Sequence, residues 1–155
     1  MKEKELLKKL GEETIHSAKG HFKACDQRRQ LITSTIWICA LINILGIVGI
    51  HPLVDKWLAA VGLLGTIGLL IWNEGEGKEY RAKHKQAAES YLALHKEIRS
   101  YYFLKECSSS EIAALSVKVS DFDKTDKPDI PLCARCAAKM AIDKKGETDN
   151  WFLEK

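Results

Sequence analysis

Twenty consecutive residues, Leu31 to Ile50 (LITSTIWICALINILGIVGI), carry no formal charge, in a chain of 155 residues that is 29% charged. A hydrocarbon core of about 30 Å takes roughly 20 apolar residues at the helical rise. A helix buried in a water-soluble domain keeps a polar stripe over such a length, and this run has none. It therefore predicts a membrane span. A second uncharged run, Trp57 to Trp72 (WLAAVGLLGTIGLLIW), follows after HPLVDK. Extended back to Leu53 it is long enough to span as well. A connection this short predicts an antiparallel helical hairpin, with spans over 31–50 and 53–72. Pro52 suits the turn, because it cannot continue the first helix and is tolerated at the start of the second. Trp57 and Trp72 bracket the second span, where amphipathic rings favour the headgroup layer.

Basic residues orient the hairpin. Lys19, Lys23, Arg28 and Arg29 precede it, Lys78, Arg81, Lys83 and Lys85 follow it, and the connecting loop holds Lys56 alone. This asymmetry places both termini in the cytoplasm. A net charge of +3 is too small to imply nucleic acid, and the basic clusters read as anchors against anionic headgroups. A cleaved signal peptide is not expected, because thirty residues precede the apolar run and the run is too long for one.

The flanks carry helical patterns. Tyr80, His84, Ala87, Tyr91, Leu94, Ile98 and Tyr101 alternate spacings of four and three, as do Ile15, Ala18, Phe22, Cys25 and Arg29. Both seams suggest that the membrane helices continue into the cytoplasm and pair as a stalk; two amphipathic helices lying on the membrane are the alternative. Gly75 and Gly77, in WNEGEGKEY, mark the expected bend or hinge between membrane and stalk, since each glycine costs a helix about 1 kcal/mol against alanine. Ser108 and Glu111, in SSSEIAALSVKVSDF, have capping-box spacing at the start of an apolar helical pattern. DKTDKPDIP is a turn or linker, and CARCAAKMAID, opened by Pro131, is another short helix. KKGETDN ends that helix, and Trp151 and Phe152 are expected to pack back onto the helices. The expected fold is thus all-α: an amphipathic cytoplasmic helix (1–30), a transmembrane hairpin (31–72), a stalk helix (73–105) and a small helical cap (106–155).

Catalytic chemistry finds little footing. Cys133 and Cys136 form a CxxC, but a redox site would need a βαβ setting, and a zinc site needs four ligands where no second CxxC or paired His follows. Cys107, or histidines of neighbouring subunits, could complete such a site; the plainer reading is two small residues on a helix face. With cytoplasmic tails, the five cysteines are expected to be reduced. No Gly-rich phosphate loop and no nucleophile–base pair is evident. The chain is therefore read as a non-enzyme without metal or cofactor.

The hairpin is more informative. Gly62, Gly65 and Gly68 recur every three residues, and Gly46 and Gly49 share that spacing. Small residues let membrane helices approach closely, so these glycines serve packing within the hairpin, between subunits, or both. Asn43 is the strongly polar side chain nearest mid-bilayer, and an amide exposed to lipid is costly. It either bonds another helix or lines an aqueous path.

The layout resembles the SLATT family. An N-terminal helix ending in RRQ (28–30) leads to a hairpin with a very short loop, then AAESYLALHKEIRSYY (87–102), SSSEIAALSVKVSDFD (108–123), a Pro-containing link and a final small-residue helix. The resemblance covers roughly residues 5–152. It implies a two-span effector of the bacterial inner membrane, acting in anti-phage or conflict defence by perturbing the bilayer or forming pores. It supplies no catalytic residues. It also implies a homo-oligomer, since one hairpin cannot enclose an aqueous path. No appended sensor domain is recognised, so the trigger is expected to be a separate sensor protein or a nucleotide-type signal. A membrane-anchored scaffold and a holin-like small channel are the competing readings.

Overall fold

The computed structural model describes residues 2–48, 52–104, 108–143 and 151–153. Five α-helices are seen: α1 (Lys2–Val48), α2 (Pro52–Trp72), α3 (Lys78–Phe103), α4 (Ser109–Asp123) and α5 (Leu132–Asp143). A π-helical turn, Asn73–Gly77, joins α2 to α3, and a 3-10 turn covers Trp151–Leu153. Among the described residues there is no strand. The chain is all-helical, and two of its helices are long and apolar enough to cross a membrane. It divides into two compact units, residues Cys25–Ala82 and residues Met1–Ala24 with Lys83–Lys155. The helix α1 contributes residues to both.

The unit of residues 1–24 and 83–155 has an ordinary soluble core. Leu7, Leu10 and Ile15 of α1 meet Leu94 and Ile98 of α3, Ile112, Leu115 and Val119 of α4, and Ile142 of α5. Each set follows helical spacing, which puts its members on one face. The helix α5 presents a stripe of alanines instead. Ala134, Ala138 and Ala141 are all buried, and their small side chains let α5 lie close to its neighbours. Trp151 and Phe152 fold back into this core, as expected. Trp151 rests on Gly11, where an added Cβ would stand 2.6 Å from two ring carbons. Glycine at position 11 is therefore required by the close approach of the indole.

Local signals account for the ends of the shorter helices. Ser108 caps α4 with its hydroxyl oxygen accepting from Glu111 N–H, and the Glu111 carboxylate accepts from Ser108 N–H in return. This is the capping box read from the sequence. Pro131 sits one position outside α5, not at its first residue: its carbonyl accepts the N–H of Arg135 at 3.0 Å, the role of a cap.

The unit of residues 25–82 is an antiparallel pair with its apolar side chains turned outward. Trp37, Leu64 and Ile71 are each about two-thirds exposed (67, 69 and 69%), and Leu41, Ile44, Trp57 and Val61 are exposed too. Two hydroxyls here turn inward to the backbone. Thr35 Oγ1 donates to Leu31 O and Thr66 Oγ1 to Gly62 O, both at 2.8 Å. Such bonds within the helix are what an apolar solvent demands of polar groups.

Candidate functional site

Within the hairpin, the sequence-derived glycines separate into distinct roles. A Cβ at Gly46 would stand 2.9 Å from both Ala59 N and Asp55 O, so α1 and α2 touch backbone to backbone there. A Cβ at Gly62 would stand 2.8 Å from the carboxamide carbon and oxygen of Asn43. At Gly65 it would meet Cys39 Sγ at 3.2 Å. At Gly68 it would meet nothing within 4 Å. Gly46, Gly62 and Gly65 thus serve the contact between the two helices of one hairpin, and Gly68 does not. Gly49 lies outside the described residues, as does Cys107.

Asn43 occupies the space that Gly62 vacates. Its Nδ2 donates to Cys39 O of its own helix at 3.0 Å. The structure brings Asn43 together with Gly62 and Cys39 inside the hairpin; a path for water is a separate matter of assembly.

Where the sequence places a bend, the helix changes its pitch. The Asn73–Gly77 turn is π-helical and runs on into α3, with Lys78 N–H donating to both Asn73 O and Gly75 O. π-Turns insert one residue per turn and recur at functional positions. Gly77 is buried against Ile32 and Asn73, where a Cβ would stand 3.1 Å from Asn73 Oδ1 and 3.4 Å from Ile32 Cδ1. Gly75 faces open space. Arg28 lays its guanidinium 4.0 Å from the centre of the Trp72 ring and 5.4 Å from that of Tyr80. Trp72 Nε1–H in turn donates to Glu76 at 2.6 Å. A tryptophan at the end of an apolar run, clamped between cation and carboxylate, is suited to a membrane–water boundary.

The other unit buries imidazoles between α1 and α3. His21 and His84 are 1% and 0% exposed, and their Nδ1 atoms lie 2.8 Å apart. One ring must donate Nδ1–H and the other accept, so the bond requires at least one neutral ring. Burial, reinforced by the nearby charges of His84 and Lys127, lowers His21 from 6.5 to about 4. Burial lowers His84 as well. His95 holds a tautomer fixed by its partners. Its Nδ1–H donates to Gly11 O at 2.9 Å, which leaves Nε2 to accept from Trp151 Nε1–H at 3.4 Å. Tyr91 stacks on His21 with ring centres 5.8 Å apart and donates its hydroxyl to Asp123. Desolvation first, then that carboxylate, pushes the phenol well above its usual range.

The periodic seam read from sequence is largely the buried face: Ile15, Ala18, His84, Ala87, Tyr91, Leu94 and Ile98 are all buried. It misses His21, which is buried where Phe22 is half-exposed, and it names Arg29, which is exposed while Arg28 makes the ring contacts. The signal that could have found His21 is antiparallel register. Within this unit, Gly11–His95 and His21–His84 have residue numbers that add to nearly the same value, so α1 and α3 pair in an antiparallel register that sets His21 against His84.

Cys133 and Cys136 are exposed and not disulfide-bonded, on the outer face of α5 away from the alanine stripe. Among the described residues no three His, Cys, Asp or Glu side chains are grouped to hold a metal ion. No protein-family description, no curated protein and no solved structure matches this chain.

Proposed function

We propose that this protein is a membrane effector, similar to the SLATT family, that assembles through its hairpin and opens or disrupts the inner membrane when triggered. The observation that carries the reading is the outward-facing apolar surface of α1 and α2, from Trp37 through Leu41 and from Trp57 to Ile71. A soluble monomer rarely exposes a contiguous apolar patch beyond a few hundred Å², and a bilayer would cover this one. One hairpin cannot surround water, so pore formation calls for several copies. Gly68 is open for close approach by another helix, whereas Gly46 and Gly62 are already occupied. Both termini face the cytoplasm in this reading, with the residue 83–155 region acting as stalk and cap beside the inner membrane. The cap answers a separate sensor or a small signal. No chemical step is assigned to the chain.

Membrane potential, recorded during expression together with the genomic neighbour, tests the proposal. Depolarisation that follows the trigger is expected. An assembled, triggered protein that leaves the potential intact would instead identify a membrane-anchored scaffold. A strictly monomeric protein in lipid would remove the pore altogether.

A further inference from the structure

A cleft of about 500 Å³ opens in the unit of residues 1–24 and 83–155, bounded by α1, α3, the link between α4 and α5, and α5 itself. Its inner wall is the stacked pair His21 and Tyr91. Three cations line it: Lys127 from the link, and Arg135 and Lys139 one turn apart on α5. We propose that this cleft binds a small phosphorylated molecule.

Four observations support the assignment. The volume lies in the range of small-molecule sites. The walls come from four different segments of chain, and the link is seated on α1 where Ile130 packs on Gly20, its Cδ1 2.9 Å from where a Cβ would stand. The charge is lopsided. Asp129 is the acid among the lining residues, against Arg135 and Lys139, while Lys127 is paired with Asp123. Finally, the cations are arranged for recognition. Lys127 Nζ is held by Phe122 O and Asp123 Oδ1, both at 3.0 Å, and lies 4.9 Å from the Tyr91 ring centre, so it is a fixed charge. Arg135 and Lys139 share one helix face at i, i+4 spacing and are exposed. A guanidinium and an ammonium side by side match a phosphate ester, the first by paired N–H donors and the second as a point charge.

This deepens the proposed function by giving the cap a place to receive a signal. Binding is measured without ion flux, so either idea can fail alone. The same phosphate chemistry is offered by a free phosphorylated molecule and by a lipid headgroup. Full-length protein in phosphatidylcholine nanodiscs would be titrated with inorganic pyrophosphate and with adenosine 5′-monophosphate, by calorimetry. Saturable binding is expected, weakened at least tenfold in Arg135→Ala with Lys139→Ala. These two side chains are exposed, so the fold should tolerate their loss. The control Lys85→Ala with Lys124→Ala, which removes the same charge elsewhere on this unit, should bind as the wild type does. Repeating the titration in phosphatidylglycerol nanodiscs separates the sources. Lost binding there supports the site and makes the headgroup its occupant; retained binding supports it with a free ligand. Equal affinity in R135A/K139A and wild type, or no saturable binding of either probe, overturns the proposal.

Discussion

Acid should loosen the unit built from residues 1–24 and 83–155, and the His21–His84 pair sets the size of the effect. In the folded protein His21 titrates near 4, against 6.5 for an unrestrained imidazole. A depressed histidine means that the unfolded chain binds more protons between those values, so stability is full above pH 6.5 and falls as pH drops toward 4. At about 1.4 kcal/mol per unit, His21 alone removes about 2 kcal/mol between pH 7.5 and 5, and about 3 kcal/mol once pH passes 4. His84 is lowered too and works in the same direction. The charges that set the shift include Lys127, so protonation of His21 would place a new cation beside an existing one, and protonation of both rings would leave the 2.8 Å bond without an acceptor. For a unit of this size 2 kcal/mol corresponds to a drop in Tm of about 10 °C. The assay is thermal unfolding followed by Trp151 fluorescence, with Trp37, Trp57 and Trp72 replaced by Phe so that the signal reports this unit. Melts would be run from pH 7.5 down to pH 5, above the range in which most carboxylates titrate. In His21→Phe with His84→Leu the slope should largely vanish, whatever the absolute Tm. A wild-type Tm that does not move over this interval, or an unchanged slope in the double variant, refutes the reasoning.

Three further outcomes follow from named contacts. Gly11→Ala gains helix propensity of about 1 kcal/mol, but its Cβ must displace the Trp151 ring from 2.6 Å at a cost of about 3 kcal/mol, so a net loss of about 2 kcal/mol is expected in the same fluorescence melt. Gly62→Leu should disrupt the hairpin by expelling Asn43, whereas Gly68→Leu should leave the hairpin intact and lower the oligomer fraction seen by cross-linking in lipid; equal effects of the two would count against a role for Gly68 between subunits. Ser108→Ala removes the α4 cap and should cost about 1 kcal/mol, read as faster hydrogen exchange over the first turn of α4.

Much of this protein is set by local sequence. Whether a segment crosses a bilayer depends on the summed transfer free energy of about twenty neighbouring residues, and Leu31–Ile50 and Leu53–Trp72 display that sum without any tertiary knowledge. The capping box at Ser108 and Glu111 is equally local, since both bonds close within one turn. Which partner a residue meets was decided by the fold. Gly62 and Gly68 are alike in the sequence, and the rotation of α2 about its axis turns one onto Asn43 and the other away from it. His21 is one polar residue in a charged stretch of sequence, and only antiparallel packing sets it against His84. The basic cleft was beyond sequence reasoning altogether, because Lys127 and Arg135 lie on different segments and face His21 and Tyr91 only after α5 has packed its alanine stripe. Hydropathy and capping act over one or two turns of helix, whereas a site is made by residues far apart in the chain, and their meeting is fixed by packing.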